Sequence, residues 1–516
     1  MQNYNTAREA FNRIPTKVRK VGGENAPEFI QNVENIKDGN LDDDTQILVF
    51  SALKSLDPRH AVFTLPTREK NGPGFNTTSH LIEMANFLID RDLENALRYL
   101  NKVEDFTRQI IREKMEPEFQ DEIHVLIGME FLRMMTILEE AAENPDQIQI
   151  LGKDYIYRGK DKKYTSFTGF GEILCQKIYS KYLSMKGFKV GELDPEDNID
   201  RIFQDDPAEA MKNERPKINQ LRRSFAVQLQ EVLADKPDVV ITGGWESLIA
   251  TMRNYSDKKA ALIAQALKGL GYEVLYVNEK KDPMRSADPG VLGPDNGSKP
   301  IERMNYGFLK ELTGSRGADT TVLHSDVAEM LESYDIPTVI MNPFGKSTQG
   351  TLITKDYMPP ESGAELIASK SVKAALTIKS GNMADQVGVE NTISEYFSNL
   401  SIDTTHTTTN TIFYTFDGDV SEDERAELER ILQNKFAAKY KLDLKKDLAF
   451  VFCLGNNVDA ILESAKGTLA LREAKIKPSK LHADDEESVV CFLVPEKDRI
   501  AAVRVLHKTL ISNHGK

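Results

Sequence analysis

The chain is poor in cysteine and lacks long apolar runs, and both shortages limit what it can be. Its three cysteines, Cys175, Cys453 and Cys491, are odd in number, far apart and each embedded in an apolar stretch. That pattern excludes a disulfide framework and a cysteine-based zinc site, and leaves buried free thiols in a reducing compartment. No run of about 18 apolar residues occurs, so no membrane-spanning helix is expected. The opening residues MQNYNTAREAFNRIPTK hold no apolar core segment, so no secretory signal is expected and a cytoplasmic location follows. Basic residues are in deficit: 66 Lys and Arg against 80 Asp and Glu give a net charge of −14. So acidic a chain is a poor general binder of nucleic acid or of an anionic membrane, although a local basic site for a phosphate is compatible with it. No Gly-x-Ser-x-Gly elbow and no His/Cys cluster with metal-ligand spacing is present. The Gly345-Lys346-Ser347 triplet is not a P-loop, because the glycine that loop needs five residues earlier is Ile340.

What is present is alternation. At 516 residues the chain is too long for one core, so two to four domains are expected. TKVRKVGGENAPEFIQNVENI reads as strand, Gly-Gly turn and helix, and TQILVFSAL as a strand ending at Ser51. Apolar residues at three- and four-residue spacing predict helix over about 78–150. FTGFGEILCQKIYSKYLSMKGFKV, DVVITGG, KKAALIAQALKGLGYEVLYV and IPTVIMN continue the rhythm, which predicts an α/β fold with a mainly parallel sheet. Pro359-Pro360 and Gly363 mark a boundary near residue 365. Beyond it, two strand–helix–strand–helix units of about 70 residues form an internal repeat.

Several residues stand where charge can be handled. Lys20, Gly22 and Gly23 close the first strand, and a Gly-Gly turn beside a lysine lets backbone amides approach an anion. Glu172 opens a helix after TGFG, either as a dipole partner or as an acceptor for a substrate ammonium. Arg253, Ser256 and Asp257 crowd the start of another helix. Ser256 or Asp257 could simply cap it. Lys258 and Lys259, however, add positive charge to a first turn whose dipole disfavours it, and a nearby anion would relieve that. His324 reads as structural.

Taken in order, these pieces resemble the aspartate kinase family, a branch of the amino-acid kinases. The resemblance rests on Lys20-Val21-Gly22-Gly23, Phe50-Ser51-Ala52, Gly171-Glu172, Arg253 through Asp257 with the AALIAQAL helix, Ala287-Asp288-Pro289, Val322-Leu323-His324, and Ile336-Pro337 through Asn342 to GTLI. It spans nearly the whole chain. It implies an amino-acid-kinase-like three-layer, mainly parallel sheet over 1–365, followed by two ferredoxin-like βαββαβ ACT domains over 366–443 and 444–516, which can be nested. It implies transfer of the γ-phosphoryl of ATP, with Mg²⁺ accompanying the nucleotide, to the side-chain carboxylate of L-aspartate, giving 4-phospho-L-aspartate on the way to lysine, threonine and methionine. Lys20 would face the transferring group and Asp257 orient it. Glu172 would take the ammonium of aspartate and Arg253 its α-carboxylate, with Ser51 and Ser256 lining the pocket. Gly22, Gly23, Lys280, Lys281 and Asp288 would serve the nucleotide. A homodimer, or a higher homo-oligomer, with an amino-acid effector at the ACT domains near Asn382 to Asn391 is also implied. The chain departs from the family at Lys54-Ser55 in place of Gly-Gly, at Asp57 in place of Thr, at Met252 before the loop arginine, at Glu279 to Pro283 along the nucleotide strand, at Gly290 and at Thr321. These departures keep two rivals open, a regulatory or sensor relative and a kinase for a related amino acid.

Overall fold

The computed structural model describes residues 4–37, 45–64, 74–151, 154–158, 164–193, 214–244, 255–280, 283–292, 297–313, 323–342, 350–358, 363–381, 388–398, 402–408, 411–416, 418–436, 439–455, 458–478, 480–484 and 489–511. The chain forms two compact units: Met1–Pro283 with Asp326–Thr354, and Met284–Ser325 with Lys355–Lys516.

The first unit is built on strands β1 (Thr16–Val21), β2 (Thr45–Phe50), β3 (Val190–Glu192), β4 (Val239–Gly243), β5 (Val274–Glu279), β6 (Thr338–Met341) and β7 (Gly350–Thr354). They lie in the order β7-β6-β5-β1-β2-β4-β3. All neighbours are parallel except β6 and β7, which are antiparallel. Every residue of β1, β4 and β5 is buried, as in a sheet covered on both faces. The expected mainly parallel α/β architecture is therefore present.

Helix α1 (Phe29–Lys37) follows the Gly-Gly turn. The long helical prediction resolves into α2 (Thr77–Ile89), α3 (Leu93–Lys114) and α4 (Pro117–Glu143). Two local devices cut a pattern whose periodicity runs on. Arg91 takes φ 61° and the Asp92 carboxylate caps α3 by accepting from Asn95 N at 3.1 Å. Pro117 then occupies the first turn of α4, where its missing N–H costs nothing. Helices α5 (Phe170–Met185) and α6 (Tyr255–Gly269) each start beside the end of β4, where a Cβ on Gly244 would meet Glu172 and Ser256. Tyr179 of α5 stacks on Phe50 with ring centroids 4.0 Å apart, and its hydroxyl donates to Ala26 O at 2.7 Å. This ties α5 to the loop that follows the Gly-Gly turn.

The second unit carries β8 (Leu366–Lys379), α7 (Val389–Tyr396), β9 (Ile402–Thr408), β10 (Thr411–Phe416), α8 (Glu422–Phe436), β11 (Lys441–Leu454), α9 (Ala460–Glu473), β12 (Lys480–Asp484), β13 (Val489–Pro495) and α10 (Arg499–Leu506). Its antiparallel sheet runs β9-β10-β8-β11-β13-β12. The two 14-residue strands β8 and β11 each do two jobs. The end of β8 pairs with β10 and with the start of β11, which completes one βαββαβ set. The end of β11 pairs with β13 and with the start of β8, which completes the other. The two ferredoxin-like modules are thus nested, each lending the other its fourth strand. Regular pairing skips Lys373 and Asp447, and Asp447 there adopts φ 53°, so the switch between modules is marked in the backbone.

The module border expected at 443/444 falls inside the shared strand β11. Residues 284–325, expected in the first domain, pack with the C-terminal unit. Ala287 and Leu292 join the core of Val451, Cys453, Phe492 and Leu506. Ser286 O accepts from Ile367 N at 2.8 Å, and Ser286 Oγ lies 2.9 Å from His507 Nε2. All three cysteines are buried and free. The effector stretch expected near Asn382 to Asn391 lies outside the described residues as far as 387; from Gly388, at φ 94°, it opens α7.

Candidate active site

The site gathers where parallel strands end, the edge at which α/β sheets bind ligands. Lys20 is the penultimate residue of β1, and Gly22 and Gly23 turn the chain directly after it. A side chain on Gly23 would put its Cβ 2.6 Å from Ala52 O, so only glycine fits this close approach between the β1 and β2 exits. Lys54 N donates to Gly23 O at 2.9 Å and Ser51 N to Val21 O at 3.1 Å, which locks the two exit loops together.

Across from them, α6 presents its first turn. Asp257 is the third residue of α6. Its Oδ1 lies 3.4 Å from Lys20 Nζ, with both side chains 9% exposed. Ser256 Oγ accepts from Ser51 Oγ at 3.3 Å. Gly244 N donates to Phe50 O at 2.6 Å, and a Cβ on Gly244 would lie 2.5 Å from Ser256 Cβ and 3.0 Å from Glu172 Oε2. One glycine therefore brings the starts of α5 and α6 against the end of β2. Lys20, Ser51, Glu172, Ser256 and Asp257 are all brought to this edge.

The crowded positive charge at the start of α6 is met by one carboxylate and one aromatic ring. Lys258 is buried and ion-paired with Asp326, and the Lys259 ammonium sits 5.7 Å over the Phe225 ring. Lys280 follows β5, anchored by its N–H to Met341 O at 3.0 Å. Burial holds its ammonium below the usual lysine value; the charges of Lys20 and Lys54 push the same way, against Asp257 and Glu24. Lys20, Lys54 and Lys280 thus form a positive cluster partly compensated by Asp257 and Glu24. Such an arrangement suits an anion of higher charge, such as a phosphate chain.

Arg253 and Lys281 lie outside the described residues, as does Gly345 to Ser347. Ile340, where a P-loop would need glycine, is fully buried inside β6. Asp288 is exposed and belongs to the second unit, where its Oδ1 accepts from Gly290 N at 2.7 Å. Sequence reasoning missed two features. Lys54 pairs with Glu24 at 3.2 Å. Ser55, His60 and Glu113 form a chain: Ser55 Oγ to His60 Nδ1 is 2.7 Å and His60 Nε2 to Glu113 Oε2 is 3.1 Å. The only signal for the first was the departure at Lys54-Ser55; in the second, Ser55 and His60 are five residues apart, but Glu113 lies 53 residues beyond His60 and nothing in the sequence points to it.

The edge is thus that of a parallel α/β sheet, lysine-rich and glycine-cradled, with one of its lysines paired to a carboxylate. Residues 74–342, just over half of the chain, match the model of the amino acid kinase family, and the chain belongs to that family. Among curated proteins it is 27% identical over 288 residues to the aspartate kinase Ask_Ect of Stutzerimonas stutzeri (strain A1501), covering 54% of this chain and 58% of that one. It is 25% identical over 398 residues to the chloroplastic aspartokinase 1 of Arabidopsis thaliana, covering 74% and 65%. The chain spans less than two thirds of the length of either relative. Its fold is similar to that of a Clostridium acetobutylicum aspartate kinase, with TM-score 0.66 and 16% identity over 96% of this chain and 99% of that one. It is also similar to E. coli aspartokinase III in complex with aspartate and ADP, with TM-score 0.64, 18% identity and the same coverage.

Proposed function

We propose that this protein is an aspartate kinase that moves the γ-phosphoryl group of ATP to the side-chain carboxylate of L-aspartate, giving 4-phospho-L-aspartate. The observation that carries this reading is the buried Lys20–Asp257 pair at the end of a central parallel strand, with Lys280 beside it. Phosphoryl transfer of this kind is mostly positioning and charge neutralisation. Asp257 holds the Lys20 ammonium toward the transferring group. Gly22 and Gly23 leave room for phosphate oxygens against the backbone, and Lys280 and Lys281 neutralise charge farther along the nucleotide. Mg²⁺ bound with the nucleotide would supply lowered charge repulsion between donor and acceptor. On the acceptor side, Glu172 takes the ammonium of aspartate, Arg253 its α-carboxylate, and the Ser51 and Ser256 hydroxyls line the reacting end. The carboxylate acceptor is already ionised at neutral pH, so no general base is required.

The nested ferredoxin-like modules, read as ACT domains, then form an amino-acid effector unit in a cytoplasmic homodimer. The test is ATP-dependent acyl phosphate formation, trapped with hydroxylamine, across a panel of amino acids. Aspartate is expected to give the hydroxamate. A folded protein that gives none with any amino acid would instead be a regulatory relative, and one that prefers another acceptor a kinase for that amino acid.

A further inference from the structure

A cavity of about 350 Å³ opens in the first unit beside the Gly-Gly turn, within the size range of small-molecule sites. Lys54 and Glu24 line it, but Ser51, Glu172, Ser256 and Asp257 do not. It is thus separate room from the acceptor side of the kinase site. Three of its four carboxylates are each paired with a cation. Lys54 meets Glu24 at 3.2 Å, and Lys114, at the end of α3, meets Glu28 at 2.8 Å. Arg59 donates through Nε to Asp57 Oδ2 at 2.9 Å. Glu113 lies against His60.

We propose that this cavity binds a free amino acid as its zwitterion, the ligand carboxylate bridging Lys54 and Lys114 and its ammonium bridging Glu24 and Glu28. The sign balance selects this class. A simple anion entering here meets four carboxylates, and a simple cation meets two lysines and an arginine. Only a ligand carrying both charges exchanges each ion pair for an equivalent one. Glu24 and Glu28 stand four residues apart, just before α1, and each is already paired with a lysine that arrives from a different element. The wall next to them supplies direction. His60 is 3% exposed and holds Ser55 Oγ at Nδ1 and Glu113 at Nε2. With Nε2–H given to the carboxylate, Nδ1 accepts the Ser55 hydroxyl proton, and Ser55 Oγ accepts in turn from Asp57 N at 3.1 Å. The Ser55 hydroxyl is therefore fixed in orientation, with its proton given to His60, and faces the ligand's side chain as a hydrogen-bond acceptor. Occupancy reaches the kinase site through Lys54, whose backbone is bonded to Gly23 and whose charge acts on Lys280.

The test is calorimetric titration of the full chain, without nucleotide, with each of the twenty L-amino acids. Each binder is compared with its analogue lacking the amino group and with the corresponding amine. At least one amino acid is expected to bind while both of its analogues bind at least tenfold more weakly. Glu28→Gln and Lys114→Met, at the half-exposed rim, are each expected to weaken it tenfold or more, with Lys54→Met as a third variant. Glu172→Gln, on the acceptor side, should leave this affinity unchanged. Binding that ignores all three rim variants overturns the proposal and assigns the ligand to another site. Binding lost only in Glu172→Gln overturns it too, as does an analogue that binds as well as the amino acid, or a titration in which no amino acid binds.

Discussion

Asp257→Asn separates a structural carboxylate from a working one. Asparagine keeps the volume and a hydrogen-bonding oxygen, so the change removes charge and little else. At 3.4 Å, with an effective dielectric of about 20, the attraction between Lys20 and Asp257 is about 5 kcal/mol. Dehydration of two nearly buried side chains offsets part of it, but removing one member of such a pair strands the other, a loss of about 3–5 kcal/mol. Lys280 sharpens this, because its own positive charge then acts on Lys20 without the Asp257 charge to offset it. Stability to urea should therefore fall by about 3 kcal/mol. If Asp257 also aims Lys20 at the transferring phosphoryl group, kcat should drop roughly 100- to 1,000-fold, measured as hydroxamate well below the variant's melting temperature. The double variant Lys20→Met/Asp257→Asn decides between the roles. With both charges gone, stability should return to within about 1 kcal/mol of the parent while activity stays lost. Recovery of activity in the double variant, or a near-normal kcat in the single one, would refute the catalytic assignment.

Other outcomes follow from the same geometry. Glu172→Gln should raise KM for aspartate at least tenfold and leave KM for ATP within about twofold, read from initial rates, because only the charge facing the substrate ammonium is lost. Lys280 is held below the usual lysine range, so between its folded pKa and that of the unfolded chain, the unfolded state binds the extra proton. Its contribution to stability therefore rises with pH across that window, and nucleotide affinity falls across it; Lys280→Met should flatten the first in urea titrations from neutral pH upward and weaken nucleotide binding at all pH values. Gly244→Ala would force a Cβ to 2.5 Å from Ser256 Cβ and 2.9 Å from Phe50 O, costing about 1–3 kcal/mol in unfolding free energy and displacing the start of α6. An effector held by the C-terminal modules should stabilise the native chain by about 2.7 kcal/mol at a hundredfold excess over its Kd, and the shift should persist in the Glu28→Gln and Lys114→Met variants.

The parts of the site legible in sequence were those fixed by local rules. Lys20, Gly22, Gly23 and Ser51 stand at strand exits, and Glu172, Ser256 and Asp257 in first turns, positions that apolar runs and glycine punctuation mark within a few residues. The choice between cap and site at Asp257 was not legible, because it depends on where β1 ends relative to α6, some 240 residues later. Lys54–Glu24, Lys258–Asp326 and Ser55–His60–Glu113 are hidden for the same reason. In the C-terminal half the repeat was plain and the nesting was foreseen only as an option. Strand exchange is a matter of which long strand pairs with which, and β8 and β11 look alike from within either repeat. Residues 284–325 read as a continuation of the first unit because the Pro359-Pro360 break dominates the sequence, whereas their core partners Val451, Phe492 and Leu506 lie far beyond it.

Strand β1 gives the reason for treating Lys20 as the working group. It is buried along its whole length yet carries Lys17, Arg19 and Lys20. A buried cation is costly unless it is paired, so each must answer for its place. Arg19 does so structurally: its guanidinium reaches Glu279 Oε1 at 2.6 and 2.8 Å and Gln46 at 2.9 Å, binding three adjacent strands with short, charge-assisted bonds. Lys17 lies with its ammonium 5.3 Å over the Phe11 ring. Lys20 differs from both. Its contact with Asp257 is longer, and among the described residues Asp257 Oδ1 is buried without a hydrogen bond. A pair kept for stability would close that distance, as Arg19 does with Glu279 at 2.6 Å one residue earlier. A pair left loose at the mouth of a Gly-Gly turn retains donor and acceptor capacity, and the neighbouring positive charge of Lys280 favours an anion there, as the proposed phosphoryl transfer requires.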